Sequence, residues 1–597
     1  MIQYTISASQ PNKHLFDISI QIDQPNQAGQ QLSLPTWIPG SYLIRDFSKH
    51  LIDISAQTIS GKILEINPVK KSLWLVEPST ESILIQYQVY AWDLSVRGSH
   101  FDQSHAFFNE TSVFMKVIGQ EENPCNVLIE PSNFTEDNNW RIATTLPAQQ
   151  INAEGFGQYQ AKNYHDLIEY PVEMGRFIEL SFEANGIPHK VAITGKIEAD
   201  KLDKNRLIKD LTAICEVELN LFSKPYPFKE YLFQVMVTGD GYGGLEHTNS
   251  TALLCSRNNL PYFNTTHPSD NYLQFLELCS HEYFHSWNVK RIKPTVYKNA
   301  KLDKPVYTNQ LWWFEGITSF YDGLFLNHAG IVDSDSYLNR LAKEMTRVYR
   351  MPGRFKQSVA ESSWLTWTKF YQQDENAPNA IISYYTKGSL IALGLDLIIR
   401  TETNNQQSLD NILLTLWQKH GVSNKGINEF EIEKYCSSVT GIDFTHFFDK
   451  HLYGKEDLDF ETLFKPFGIA FKLRKATSLR DLGGKSDSEK EILQLGANLK
   501  NTQNKTLKVT QVWNHQSLSN AGISAGDEII AINSYKMSSI DKLTELLEIL
   551  DENDNIDCHY FRRDELHTSQ VTLMQPIADR VELTKTTEFG KIKWLMN

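Results

Sequence analysis

The sequence predicts a multidomain chain: an N-terminal β-sandwich, an α+β domain with a helical second half, and a C-terminal β domain. Three observations carry that expectation. The 597 residues exceed what one hydrophobic core organises, because chains beyond about 250–300 residues divide into domains. The first third alternates apolar and polar residues in short runs, the period of half-buried strands. The middle switches to apolar residues at three- and four-residue spacing, the period of helices, before strands return. These changes place the boundaries at 1–165, 166–457 and 458–597.

Within the first domain, "YTISA", "HLFDISIQI", "SILIQYQVYAWDL" and "TSVFMKVIG" read as strands separated by Pro, Gly and Asn clusters. The intervening "LPTWIPGSYLIRDFSKHL" holds two prolines and a glycine and reads as a loop. No catalytic constellation is expected in this domain. In the second, "FIELSFEA" and "HKVAITGKI" read as strands, and "LDKNRLIKDLTAICEVELNLF" as a helix. "YLFQVMVTGDGYGGLEHTNSTALLC" returns to strands around a glycine-rich turn. Helical periodicity then dominates, from "NYLQFLELCSHEYFHSWNV" through "NQLWWFEGITSFYDGLFLNHAG" to "SLDNILLTLWQKHG", which makes the whole an α+β domain. In the third domain, the helix "SSIDKLTELLEIL" is followed by the strands "NIDCHYFRR" and "TSQVTLMQP".

The bulk composition narrows the function. A formal charge of -14, from 72 acidic and 58 basic residues, repels phosphate backbones and argues against nucleic acid as a partner. The short basic run "NVKRIKP" reads as a solvated face. Cys125, Cys215, Cys255, Cys279, Cys436 and Cys558 include no C-x-x-C pair and read as reduced thiols, not a disulfide framework. The start "MIQYTISASQPNKHLFDISI" lacks the basic and apolar regions of a signal peptide. No stretch approaches the roughly 18 apolar residues of a membrane span. A soluble cytoplasmic protein, without membrane association, is the expectation.

One stretch carries chemistry. In "CSHEYFHSWNVKRIKP", His281 and His285 are four residues apart with Glu282 between them. On a helix the two imidazoles project from one face, about 6 Å apart at Cβ. Glu282 lies about 100° around the axis, placed to act on a water beside a metal instead of on the metal. Two ligands and a general base are the mechanical content of H-E-x-x-H. A catalytic zinc needs a third protein ligand and an open position. Glu315, among Trp312, Trp313 and Phe314, is a carboxylate costly to bury unless it is paired or bound to metal. Asp322, two turns further on, is a candidate hydrogen-bond partner behind a ligand histidine or a surface carboxylate.

Helix-borne H-E-x-x-H followed by a glutamate on the next helix resembles the gluzincin metallopeptidases, which include thermolysin and the aminopeptidase N group. "GYGGLEH" resembles the Gly-x-Met-Glu-Asn loop of aminopeptidases, and "YYTKGS" their Tyr-x-Lys-Gly segment. "AGISAGDEIIAIN" has the cadence of a PDZ domain. Together with "WIPGSYLIRDF" and "HEYFHSWNVKRIKP", these resemble the glycyl aminopeptidase family over nearly the whole chain. His247 departs from the broader aminopeptidase pattern, standing where Asn is usual.

The resemblance implies a thermolysin-like catalytic domain and one zinc ion per chain, held by His281, His285 and Glu315. It implies Glu282 as the base, Tyr385 as donor to the oxyanion (with Tyr384 as the neighbouring alternative), and Glu246 as partner of the substrate's α-ammonium. Gly243 and Gly244 permit close approach of a substrate strand, or a tight turn. The implied substrates are peptides with a free N-terminus and a small first residue, glycine or alanine. The PDZ-like domain implies a peptide or protein ligand, and "LQLGANL" is its candidate carboxylate-binding loop. An oligomer remains open. The rival readings are a zinc endopeptidase with a structural Glu246, and an inactive peptidase scaffold that binds peptides.

Overall fold

The computed structural model describes residues 2–263, 267–298, 300–486 and 488–596. It divides into two compact units, Met1–Val306 with Leu416–Asn428, and Tyr307–Thr415 with Glu429–Asn597. The N-terminal region is β-rich, the middle helical, and the C-terminal region again β-sheet.

The first unit opens on an eight-stranded sheet. At its centre Ile2–Gln10 pairs antiparallel with Leu15–Ile22 and parallel with Cys125–Glu130. Ile2, Tyr4, Ile6 and Ala8 are buried while their neighbours are not, as alternation on a one-faced sheet requires. One expected strand is absent. "TSVFMKVIG" forms the helical turn Glu110–Val113 and the two-residue strand Lys116–Val117. Residues 110–115 are all buried, and an all-buried segment has no solvent face to alternate with.

A second sheet of five strands positions the site. Its strands Ile187–Thr194, Tyr231–Thr238 and Ser250–Ser256 run parallel, and Gly243–Glu246 closes one edge antiparallel to the last. The Lys204–Phe222 helix is the crossover between the first two of these, since parallel neighbours cannot be joined by a hairpin. Asp203 caps it by accepting the Arg206 amide.

His189, on the Ile187–Thr194 strand, is 1% exposed. Its Nδ1 donates to the Ile187 carbonyl, and its Nε2 accepts from the Tyr283 hydroxyl at 2.9 Å. Burial pushes this imidazole down to about 4. The unfolded chain takes up a proton near pH 6.5, which the folded chain refuses until about 4, so stability is lost as pH falls between those values. The loss from this residue is about 3 kcal/mol at most. Urea denaturation at pH 7 and pH 4.5 measures it, and H189Q is expected to flatten the difference.

The second unit holds the helices Thr318–His328, Ser334–Tyr349 and Thr386–Glu402. A two-stranded sheet follows, Ile469–Arg474 with Arg580–Lys585, and then the sheet whose strand path starts at Ala497–Asn501. Its core gathers Leu507, Val509, Ile529, Ile532, Leu543, Ile556 and Val571. Among the described residues no helix is long and apolar enough to cross a membrane, and all six cysteines are free and buried.

Candidate metal and catalytic site

The Asp270–Phe284 helix starts at Ser269, whose hydroxyl accepts the Tyr272 amide. Tyr272, Phe275, Leu276, Cys279 and Tyr283 bury one face and so fix its rotation. The helix packs beside the edge strand Gly243–Glu246. His281 and His285 face each other with ring centroids 4.7 Å apart and planes at 86°. His285 ends the helix, and its Nδ1 lies 2.8 Å from the Asn288 carbonyl. A carbonyl only accepts, so Nδ1 carries the proton and Nε2 presents its lone pair, the tautomer a metal ligand needs. The following turn is strained: Val289 has φ 154°, rare for a β-branched residue, and the Lys290 amide returns to the His285 carbonyl.

Glu282 is buried and lies against Gly244. A Cβ at Gly244 would stand 2.1 Å from Glu282 Oε1, so the close approach requires glycine. The Tyr231 hydroxyl donates to the Glu282 carbonyl. Two residues along the strand, Glu246 projects from the same face as Gly244. One donor atom from each of Glu246, Glu282 and His285 lies within 4.8 Å of the others.

The N-terminal region also reaches this site. Gly40, in the "WIPG" loop, has φ +90°, and a Cβ there would stand 2.4 Å from Glu246 Oε2. Arg97 Nη2 donates to the Gly244 carbonyl at 3.0 Å. Neither contact has a local sequence signal, because both partners are more than a hundred residues away.

The basic run also departs from its reading as a solvated face. Lys290 is 7% exposed and pairs with Glu169 at 2.7 Å. The Thr248 hydroxyl donates to the same carboxylate. Arg291 lies over the Trp417 ring at 5.7 Å. Burial and the neighbouring Lys290 push the Lys293 amine down to about 8. The same two causes, burial first, push His247 down to about 3, so His247 is a neutral imidazole beside Glu246.

In the second unit, Glu315 is buried within a π-helical turn, Trp312–Ile317, a geometry frequent at functional sites. Gly316 packs on Gly388 so tightly that a Cβ would meet its Cα and carbonyl carbon at 2.7 Å. That backbone contact joins the Glu315 turn to the start of the Thr386–Glu402 helix, beside Tyr385. Tyr384 is a core residue, fully buried with its hydroxyl 2.9 Å from Thr366 Oγ1. Tyr385 is only half-buried, with its hydroxyl 3.5 Å from that of Tyr371. Asp322 is half-buried on the Thr318–His328 helix.

Comparison with known proteins decides the family. Residues 3–176 match the Peptidase M61 N-terminal domain, and residues 274–391 match M61 glycyl aminopeptidase. A solved aminopeptidase N family protein from Idiomarina loihiensis is 40% identical, with TM-score 0.96 over 100% of both chains. The chain belongs to the M61 glycyl aminopeptidase family. An M1 zinc metallopeptidase from Deinococcus radiodurans is 10% identical, with TM-score 0.47 over 76% of this chain and 94% of that one. Among curated proteins none matches. Membership in M61 makes the chain a peptidase, and the His281–His285 helix and the Glu315 turn both fall in the part that matches the M61 glycyl aminopeptidase model.

Proposed function

We propose that this M61 chain is a zinc-dependent aminopeptidase that releases small N-terminal residues, glycine and alanine, from peptides. The observation that carries the reading is the closeness of Glu246 to Glu282 and His285. In an N-terminal residue the α-ammonium and the carbonyl carbon are two bonds apart, about 2.5 Å. A carboxylate that holds the ammonium must therefore stand within a few ångströms of the base that serves the carbonyl. Glu246 meets that condition, and an endopeptidase has no use for it.

The donors fit zinc. Two imidazoles with crossed planes, one fixed in its Nε2-presenting tautomer, are borderline-soft ligands at helical spacing, and Glu315 is the carboxylate proposed to complete the set. Asp322 is proposed to accept a hydrogen bond from a ligand histidine. Zinc, when bound, supplies a Lewis acid that acidifies water and polarises a carbonyl. Glu282 takes the proton of the attacking water and returns it to the leaving amine. Tyr385 donates to the developing oxyanion, and its partial burial supports it over the core-bound Tyr384. Gly243 and Gly244 keep the edge strand bare, and Glu246 anchors the ammonium.

The remaining assignments rest on this frame. The domains are proposed as 1–165, 166–457 (thermolysin-like) and 458–597 (PDZ-like). Edge strand Ala497–Asn501 and helix Ile540–Leu547, tied by the Ile540 amide to Asn501 Oδ1, would flank a peptide groove for β-augmentation. Six free buried thiols support a reducing compartment, the cytoplasm.

A substrate panel tests the reading. Glycyl and alanyl anilides with free amines are expected to turn over, and their N-acetylated forms to be inert. E246A is expected to lose about 10²-fold or more in kcat/KM on the free-amine substrates, as for a charge-paired contact of about 3 kcal/mol. Cleavage of the acetylated peptides at comparable rates would return the endopeptidase reading, and failure to cleave any peptide would return the scaffold reading.

A further inference from the structure

A second set of metal-ligating side chains lies in the β-rich N-terminal region, away from the H-E-x-x-H helix in sequence. The strands Ser99–Phe101 and His105–Phe108 form a hairpin. His100 pairs with Phe107 across it, and Phe107 pairs in turn with Glu173 on the strand Val172–Gly175. His100, His105 and Glu173 therefore share one face, since His105 and Phe107 are two residues apart. They line one small pocket together with Gln234. Asp102 sits in the hairpin turn.

The hydrogen bonds orient Asp102 and His105 as ligands. Asp102 Oδ1 accepts from the Ser104 amide and hydroxyl, both at 2.6 Å, and from the His105 amide at 3.2 Å. This leaves Oδ2, which lies 3.3 Å from His100 Nε2. That separation is the edge of a tetrahedron with metal–ligand bonds of about 2.0–2.1 Å. His105 is 1% exposed, and its Nδ1 lies 3.1 Å from Glu173 Oε1. A carboxylate behind one ring nitrogen directs the other toward a metal. His105 Nε2 is indeed a buried nitrogen without a protein partner among the described residues. Donor atoms from His100, Asp102 and His105 lie within 4.8 Å of one another.

We propose that His100, Asp102 and His105 form a second site for a divalent transition-metal ion, with Glu173 as the positioning residue for His105. Two imidazoles and one carboxylate select zinc or a similar first-row ion over magnesium or calcium, which take oxygen ligands. Asp102 is 30% exposed at its side chain, so the site opens to solvent on that side, and exchange needs no unfolding. The inference does not rest on the peptidase reading, because none of its residues belongs to that site.

Equilibrium dialysis of the full-length protein against zinc, followed by metal analysis, tests it. Two zinc ions per chain are expected in the unaltered protein and one in H281A/H285A, which lacks the helix donors. H100A/H105A is also expected to hold one, and the quadruple variant none. D102N, nearly isosteric, guards against loss through misfolding and is expected to lower the count by one with an unchanged circular dichroism spectrum. E173Q is expected to weaken this zinc about tenfold or more. The proposal is overturned if H281A/H285A holds no zinc, or if D102N and H100A/H105A hold as much as the unaltered protein. A single zinc lost only from the H100A/H105A protein would uphold this site and count against the peptidase centre.

Discussion

Glu282→Gln is expected to lower kcat on glycyl and alanyl anilides about 10²–10⁴-fold, the range a positioned general base contributes. Glutamine keeps the length and the burial of Glu282, and its amide accepts no proton at neutral pH. Zinc content is expected to stay constant, since the substitution leaves His281 and His285 in place. KM is expected to change little, because the base contributes mainly in the transition state. A kcat within tenfold of the unaltered enzyme would remove Glu282 from the role. A loss of zinc in parallel with activity would make the residue a ligand, and the set Glu246, Glu282 and His285, whose donors also lie within 4.8 Å, would then be the metal site.

How much of this was legible in the sequence follows from the range of the interactions. The helix carrying His281 and Glu282 is a local object set by its apolar period; it stands at Asp270–Phe284 with His285 as its C-cap, and a turn replaces the helical reading that ran on to Val289. The strands around "GYGGLEH" are equally local. "TSVFMKVIG" was misread because its apolar–polar alternation marks no solvent face: its polar Thr111 and Ser112 are buried with the rest. "NVKRIKP" was misread because a charge run is ordinarily solvated; its partners Glu169 and Trp417 come from distant segments. Gly40 and Arg97 were invisible for the same reason. A proline- and glycine-rich loop gives no sign of which carboxylate it will cover. The proposed preference for Tyr385 over Tyr384 rests on which hydroxyl the core consumes, and the Tyr384–Thr366 contact exists only in three dimensions.

Gly244→Ala is the sharpest test of the geometry, because it moves the proposed base, Glu282, without altering it. The added Cβ would stand 2.1 Å from Glu282 Oε1, 2.5 Å from its Cδ and 2.6 Å from its Cγ. All are inside van der Waals contact, so the carboxylate must swing away. The backbone accepts alanine: Gly244 does not have positive φ, and it pairs with Leu253 in an ordinary antiparallel ladder. Folding and thermal midpoint are therefore expected to hold, while a base displaced by an ångström or more costs about 10²-fold in kcat. The decisive measurement is the double variant with Glu282→Gln. If Gly244→Ala acts by displacing the base, the double variant is no slower than Glu282→Gln alone, since the function is already gone. Multiplicative losses would instead mean that Gly244 serves the substrate strand independently of Glu282. An alanine variant with full activity would show that Glu282 works from a different rotamer than the one packed against Gly244.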